Sequence, residues 1–172
     1  MALYALGDQV PQIDPTAYVH PDAIVIGSVT IGAQSSIWPG AVLRGDDGAI
    51  VIGARTSIQD GTVVHTTPFD HTTVGDDCVI GHLVHLEGCI IHNLAQVSSG
   101  AIVLHRAVVE TGAIVAANAV VLNGMHVPAG ALAVGAPAVI KEGKARQADI
   151  EMAVKAYIHK GDRFRAQLRR ID

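Results

Sequence analysis

Aromatic residues, cysteines and long hydrophobic runs are all scarce in this sequence. Only 3% of the 172 residues are aromatic although 49% are hydrophobic, which excludes a core built mainly from large rings. Cys78 and Cys89 are too few for a disulfide framework, and they lack the CxxC spacing of a metal or redox motif. No apolar run approaches a membrane span, and no basic segment followed by an apolar run marks a signal peptide. We therefore expect a cytoplasmic protein without a membrane segment.

Charge and length narrow the class of protein further. The net charge is −4, so no basic surface points to nucleic acid as a partner. The chain has the length of one ordinary domain. Its 18 glycines, together with many small β-branched residues, indicate a narrow core with frequent tight turns.

A small apolar residue recurs at every sixth position over most of the chain. The uninterrupted series is Ile91, Val97, Val103, Val109, Val115, Val121, Val127, Ala133 and Val139. Shorter series with the same spacing are Ile31, Ile37, Leu43; Ile52, Ile58, Val64; and Ile80, Leu86. An amphipathic helix would repeat at three and four residues instead, so a helix is excluded here.

Short strands joined by tight turns explain a period of six. One apolar side chain per hexapeptide points inward, three hexapeptides form one triangular coil, and coils stack about 4.8 Å apart as parallel strands. The sequence thus predicts an all-β protein, a parallel β-helix of hexapeptide repeats. Two segments interrupt the period, Gly45–Val51 and Thr66–Thr73, and we expect both to be loops that leave the coil.

The pattern changes after Val139. Apolar residues then follow helical spacing, which predicts a β-helix domain over 1–140 and a C-terminal α-helix within 141–172 that packs along it. The apolar face of this helix is Ile150, Val154, Tyr157, Ile158 and Phe164. The basic residues on its other faces are Lys160, Arg163, Arg165, Arg169 and Arg170, which we expect to be solvated.

Counting by coils brings particular side chains together. The outward residues that follow Leu43, Val64 and Leu86 form one column on the second face of the coil, and this column contains His65 directly beside Glu87. His82 lies at a corner and points away from that column. It would meet His65 and Glu87 only across an interface between subunits, where two imidazoles and a carboxylate suit a divalent transition metal. His85 is the rival third ligand, and His105, one coil further along, is a weaker rival.

Several motifs resemble the γ-class carbonic anhydrases. They are SIWPGAVLRGD at 36–46, IGARTSIQDGTVVH at 52–65, IGH at 80–82 followed by Gly88-Cys89, and GAPA at 135–138, the last being shared with hexapeptide acyltransferases. The resemblance covers nearly the whole chain. It implies a left-handed β-helix and a homotrimer that binds one metal at each subunit interface. The metal is usually zinc, with iron, cobalt or manganese as alternatives.

The same resemblance assigns roles to individual residues. It places the first two metal histidines at His65 and His82, the second being supplied by a neighbouring subunit. Arg44 and Asp46 fall on the family's interface pair. Gln59, followed by Asp60, falls on the glutamine that contacts the metal-bound solvent. The implied reaction is the reversible hydration of carbon dioxide to bicarbonate by metal-bound hydroxide.

The sequence departs from this family at Glu87, where the third metal histidine is expected. A carboxylate ligand cancels part of the metal's charge and leaves its bound water less acidic, so we expect weak or altered anhydrase activity. Two other functions stay open. One is a hexapeptide acyltransferase or coenzyme A thioesterase, with His82 or His85 as the catalytic histidine, and the other is a non-catalytic metal-binding trimer.

Overall fold

A computed structural model describes residues 2–172 as one solenoid with a helix at its C-terminal end. The strands in chain order are β1 Ala2–Tyr4, β2 Gln12–Ile13, β3 Tyr18–Val19, β4 Ile24–Ile31, β5 Ser36–Ile37, β6 Val42–Ile52, β7 Ser57–Ile58, β8 Val63–His65, β9 Thr72–Val74, β10 Val79–Ile80, β11 His85–Glu87, β12 Ile90–Ile91, β13 Gln96–Val97, β14 Ile102–Val103, β15 Val108–Val109, β16 Ile114–Val115, β17 Val120–Val121, β18 His126–Val127, β19 Leu132–Val134 and β20 Val139–Lys141. The single helix of this region, α1, spans Gln147–Gln167.

The strands stack in parallel into three faces. Face one follows the order β3-β5-β7-β10-β13-β16-β19, and β20 closes it as an antiparallel strand. Face two runs from β6 through β8, β11 and β14 to β17, and face three from β6 through β9, β12 and β15 to β18. β4 and β6 pass around the corner between these two faces. The predicted parallel β-helix is therefore confirmed.

The interior of the coil is filled by the residues that define the period of six. The largest fully buried side chains include Ile37, Leu43, Ile58, Ile80 and Leu86. The alanines four positions after the inward residues, such as Ala101, are buried as well. Because each face supplies one inward side chain per coil, there is no room in the core for large rings, which explains the scarcity of aromatic residues.

Of the two predicted loops, one is confirmed and one is wrong. Residues 66–71 form a loop between β8 and β9. The segment Gly45–Val51, in contrast, belongs to β6, which pairs with β4 across a shift in register between Gly27 and Val29. The two backbones approach so closely that a Cβ at Gly27 would lie 2.3 Å from the Gly45 carbonyl oxygen. The extra residues, 46–49, therefore form a bulge within β6 opposite Ser28, between two stretches that pair with β4, and a search for the period of six does not detect this arrangement.

The C-terminal helix covers part of face one, where it packs against β3, β5, β7 and β10. Ile150 and Val154 are buried in this contact, as the apolar pattern predicts. The Trp38 ring lies between Tyr157 and Phe164, with centroid distances of 5.6 and 5.0 Å. The helix therefore covers face one and leaves the outward columns of faces two and three uncovered. Within residues 2–172, no helix combines the length and the hydropathy needed to cross a membrane.

Candidate metal centre

The outward column of face two contains the pair that the repeat predicts. β8 and β11 pair in parallel with Glu87 opposite His65, and β6 and β8 pair with Arg44 opposite His65. Because the stacked backbones fix this order, the three side chains lie one above another on successive coils. The predicted vertical contact between His65 and Glu87 is therefore confirmed.

Glu87 lies at the centre of a group of histidines. His65 Nδ1 is 2.8 Å from Glu87 Oε1, and His85 Nε2 is 3.2 Å from Oε2. His105 Nε2 lies 3.6 Å from Oε1, too far for a conventional hydrogen bond. Partial burial alone would raise the pKa of Glu87, but hydrogen bonding to His65 and His85 and the nearby His105 outweigh it and lower the pKa below its usual value. Glu87 is thus held as a carboxylate.

His65 is bracketed by a second carboxylate. Its Nε2 lies 3.3 Å from Asp46 Oδ1, and Asp46 also accepts a hydrogen bond from the Arg44 guanidinium. Burial would raise the pKa of Asp46, but the bond from Arg44 and its charge lower it. The expected pairing of Arg44 with Asp46 is confirmed within one chain. In the tautomer whose Nε2–H donates to Asp46, Nδ1 carries a lone pair that can bind a metal beside Glu87, the arrangement by which carboxylates orient metal-binding histidines.

His82 is held elsewhere, at the turn between faces one and two. Its Nδ1 lies 2.9 Å from Asp60 Oδ2, and both side chains are about half exposed. One chain therefore does not bring His82 to His65 and Glu87, and a role for His82 across a subunit boundary stays a prediction. The partner Asp60 was not predicted for His82. The signal was available, because both residues lie two positions after the paired Ile58 and Ile80.

Gln59 is almost completely buried, with 4% of its surface exposed. Its backbone N–H donates to the Ile80 carbonyl oxygen on the adjacent coil of face one. It therefore lies on a different face from His65 and Glu87. The contact between Gln59 and metal-bound solvent therefore stays a prediction. It would require Gln59 of a neighbouring subunit to lie at the site of His65 and Glu87.

The loop 66–71 packs beside the Glu87 group. Asp70 forms an ion pair with Arg106 at 2.8 Å, and a Cβ placed on Gly88 would lie 2.7 Å from Asp70 Cβ. The Thr67 hydroxyl accepts the Asp70 N–H at 3.0 Å. These contacts fix the loop against the two successive coils that carry Glu87 and His105.

The donors fit a divalent transition metal in their chemistry, although one chain does not complete a site. Among residues 2–172, no three His, Cys, Asp or Glu side chains are already arranged around a common point that would hold a metal ion. Two features nevertheless suit such an ion: imidazoles lie beside a carboxylate, and the buried His105 Nε2 has no hydrogen-bond partner. The set is therefore a candidate for part of a metal site on the outward face of the coil, which the described residues of one chain do not complete.

Comparison with known proteins finds a curated relative for part of the sequence. No protein-family model matches the sequence. Carnitine operon protein CaiE of Escherichia coli O157:H7 is 40% identical over 102 residues, which are 59% of this chain and 52% of that protein. The chain thus matches only about half the length of this curated relative.

Two solved structures match along nearly their whole length. A hexapeptide transferase family protein from Anaplasma phagocytophilum is 37% identical with a TM-score of 0.90, covering 97% of this chain and 98% of its own. A Bacillus cereus protein described as an acetyltransferase is 30% identical with a TM-score of 0.93, covering 96% and 97%. From the repeat, the coil and this full-length similarity, we conclude that the chain belongs to the hexapeptide-repeat family of left-handed parallel β-helix proteins.

Proposed function

We propose that this protein is a γ-carbonic-anhydrase-like metalloprotein whose metal is shared between subunits of a homotrimer. His65 and Glu87 of one subunit and His82 of the partner subunit hold one divalent transition metal, with zinc as the first choice. The reaction is the hydration of carbon dioxide to bicarbonate, and the presence of Glu87 makes it slow at neutral pH.

One observation carries this proposal, namely the contact between His65 Nδ1 and Glu87 Oε1 at 2.8 Å. The two residues lie on successive coils and both project from the uncovered face two. A carboxylate that replaces a histidine could have pointed into solvent and left the site. Instead, Glu87 occupies the place beside His65 where a third ligand is needed.

The identity of the third ligand determines how far a bound metal would lower the pKa of its water. A divalent metal, when bound, acts as a Lewis acid that lowers the pKa of water. Glu87 adds a negative charge to the donor set and opposes that effect, whereas a neutral imidazole would not. Zinc held by two histidines and one glutamate nevertheless supports hydrolysis in other enzymes. The substitution therefore weakens hydration without excluding catalysis.

The neighbouring residues orient the donors and the substrate. Asp46, fixed by Arg44, holds the ring of His65 through Nε2. Asp60 holds His82 at the corner of the coil. Gln59, adjacent in sequence to Asp60, is buried on face one, so its side chain would have to turn outward to orient a substrate beside the partner's His82.

A second function is transfer of an acyl group from acyl-coenzyme A to an acceptor. A different observation favours it. The Bacillus cereus and Anaplasma phagocytophilum structures, which match nearly the whole chain, are described as an acetyltransferase and a hexapeptide transferase family protein. The pair formed by His82 and Asp60 at 2.9 Å has the form of a histidine general base oriented by a carboxylate. Such a reaction, or thioester hydrolysis at the same histidine, would need no metal.

Stopped-flow hydration assays on the trimer loaded in turn with zinc, cobalt, iron(II) and manganese test the first function. We expect hydration that is lost with a chelator and in His65→Ala, but kept in His92→Ala, a histidine on face three. Release of free coenzyme A from acetyl-coenzyme A that persists with a chelator and is lost in His82→Ala would instead support the second function. Metal binding without either activity would indicate a non-catalytic metal protein and overturn both.

A further inference from the structure

We propose that His105 is an additional metal ligand, supplied by the same chain as His65 and Glu87. This inference rests on the metal site proposed above and extends it by one residue. It concerns how this chain compensates for the missing third histidine.

The first argument is the state of the His105 side chain. Its Nε2 atom is buried and has no hydrogen-bond partner, whereas Nε2 of His126 has Glu110 as a partner at 2.9 Å. Leaving a buried polar atom without a partner is unfavourable, because the atom loses its bonds to water and gains none in return. A metal ion beside Glu87 would supply the missing partner.

The second argument is which oxygen of Glu87 each histidine approaches. His65 Nδ1 and His105 Nε2 both approach Oε1, at 2.8 and 3.6 Å. Two ligand atoms on a tetrahedral zinc, with bonds of about 2.0–2.1 Å, lie about 3.3 Å apart. The two observed spacings bracket that value, so each nitrogen is near the distance from Oε1 at which both atoms could bind one ion, and the side chains must move to gather all three around it.

The other histidine of the group has a different role. His85 Nε2 approaches Oε2, the opposite oxygen of Glu87, at 3.2 Å. It therefore orients the carboxylate from the side away from the shared oxygen, as partners of metal ligands do. This assigns His85 to positioning and His105 to direct binding.

The chain fixes the position of His105 firmly. Its backbone carbonyl accepts the Gly124 N–H at 2.9 Å, and the N–H of the next residue, Arg106, donates to the Gly88 carbonyl. Arg106 is also anchored through its ion pair with Asp70. The imidazole lies so near Gly88 that a Cβ there would be 3.0 Å from His105 Cδ2. His105 is thus held one coil beyond Glu87 and next to it.

Cobalt(II) titration of the purified trimer tests the inference, because affinity and the visible d–d absorption report the ligands without any assay of activity. We expect His105→Ala and the size-matched His105→Gln to weaken cobalt binding at least tenfold and to change the d–d bands. His92→Ala, which removes a histidine beside Glu110 on face three, is the matched control and should behave as the wild type. Circular dichroism and gel filtration verify that each variant is folded and assembled.

The outcomes separate this inference from the proposed function. If cobalt binding is lost in His65→Ala but both His105 variants keep the affinity and spectrum of the wild type, His105 is not a ligand and only the inference fails. If the wild-type trimer binds neither cobalt nor zinc, the proposed metal function fails as well.

Discussion

The imidazole of His65 and the carboxylate of Glu87 lie on adjacent coils, with Nδ1 and Oε1 2.8 Å apart. The parallel ladder between β8 and β11 sets this contact, since it pairs the two residues directly. Asp46 on the other side of the ring completes a line of carboxylate, imidazole and carboxylate. Such a line can orient a histidine for a metal, and in the proposed function Glu87 is the residue on which the activity of that metal depends.

Replacing Glu87 with histidine should raise carbon dioxide hydration at neutral pH. The change removes a negative charge from the donor set, and each unit by which the pKa of the bound water falls gives up to about tenfold more hydroxide at a pH below that pKa. Stopped-flow rates of the zinc-loaded variant and wild type measure the effect, with Glu110→Gln on face three as the control. Unchanged rate and metal content in Glu87→His would show that Glu87 is not a ligand.

The core beneath the site should be sensitive to truncation. Leu86 is fully buried on face two, directly before Glu87, so Leu86→Ala leaves a cavity and should lower the free energy of unfolding by about 2–5 kcal/mol. Met152→Ala, on the exposed side of α1, is expected to change it by less than about 0.5 kcal/mol. Urea denaturation compares the two, and equal effects would mean that the coil collapses around the lost side chain.

Both cysteines should be inert in the folded protein. Cys78 and Cys89 have no exposed surface, and burial raises the pKa of each thiol to about 12, so almost no thiolate exists at neutral pH. Ellman's reagent should label neither residue in native buffer and both in guanidinium. Rapid labelling of the native protein would show that the coil opens at these positions.

Glu110 should contribute stability that depends on pH. A hydrogen bond with His126 lowers the pKa of Glu110 in the folded chain, and the charges of His92 and His126 add to this effect. A carboxyl whose pKa is lower in the folded state stabilises the fold above its unfolded pKa and loses that contribution as pH falls through the folded value. Wild type should therefore exceed Glu110→Gln in stability at about pH 5–6, and the difference should vanish near pH 3. A difference independent of pH would exclude this origin.

The period of six made most of the site predictable. Because each coil repeats the same inward position, counting along the chain placed Glu87 opposite His65 without any knowledge of side-chain geometry. The same count could have paired Asp60 with His82. The extended β6 could not be predicted in this way, because it depends on the close approach of Gly27 and Gly45, and neither residue lies on the repeat.

The position of the His105 ring depends on turn geometry and close packing, which the hexapeptide pattern of the sequence does not reveal. His105 lies in a turn whose next residue, Arg106, has a left-handed backbone with φ 60°. The direction of its side chain is set by that turn and by the absence of a side chain at Gly88. The sequence therefore identified His105 only as a weaker rival ligand, and the structure was needed to show its unpartnered nitrogen.

Metal analysis of the purified protein, for wild type and His65→Ala side by side, tests the central claim most directly. We predict close to one divalent transition metal per chain in the wild type and strong depletion in the variant, with both proteins trimeric by light scattering. A monomeric wild type, or equal metal content in the two proteins, would contradict a centre built on His65 and Glu87.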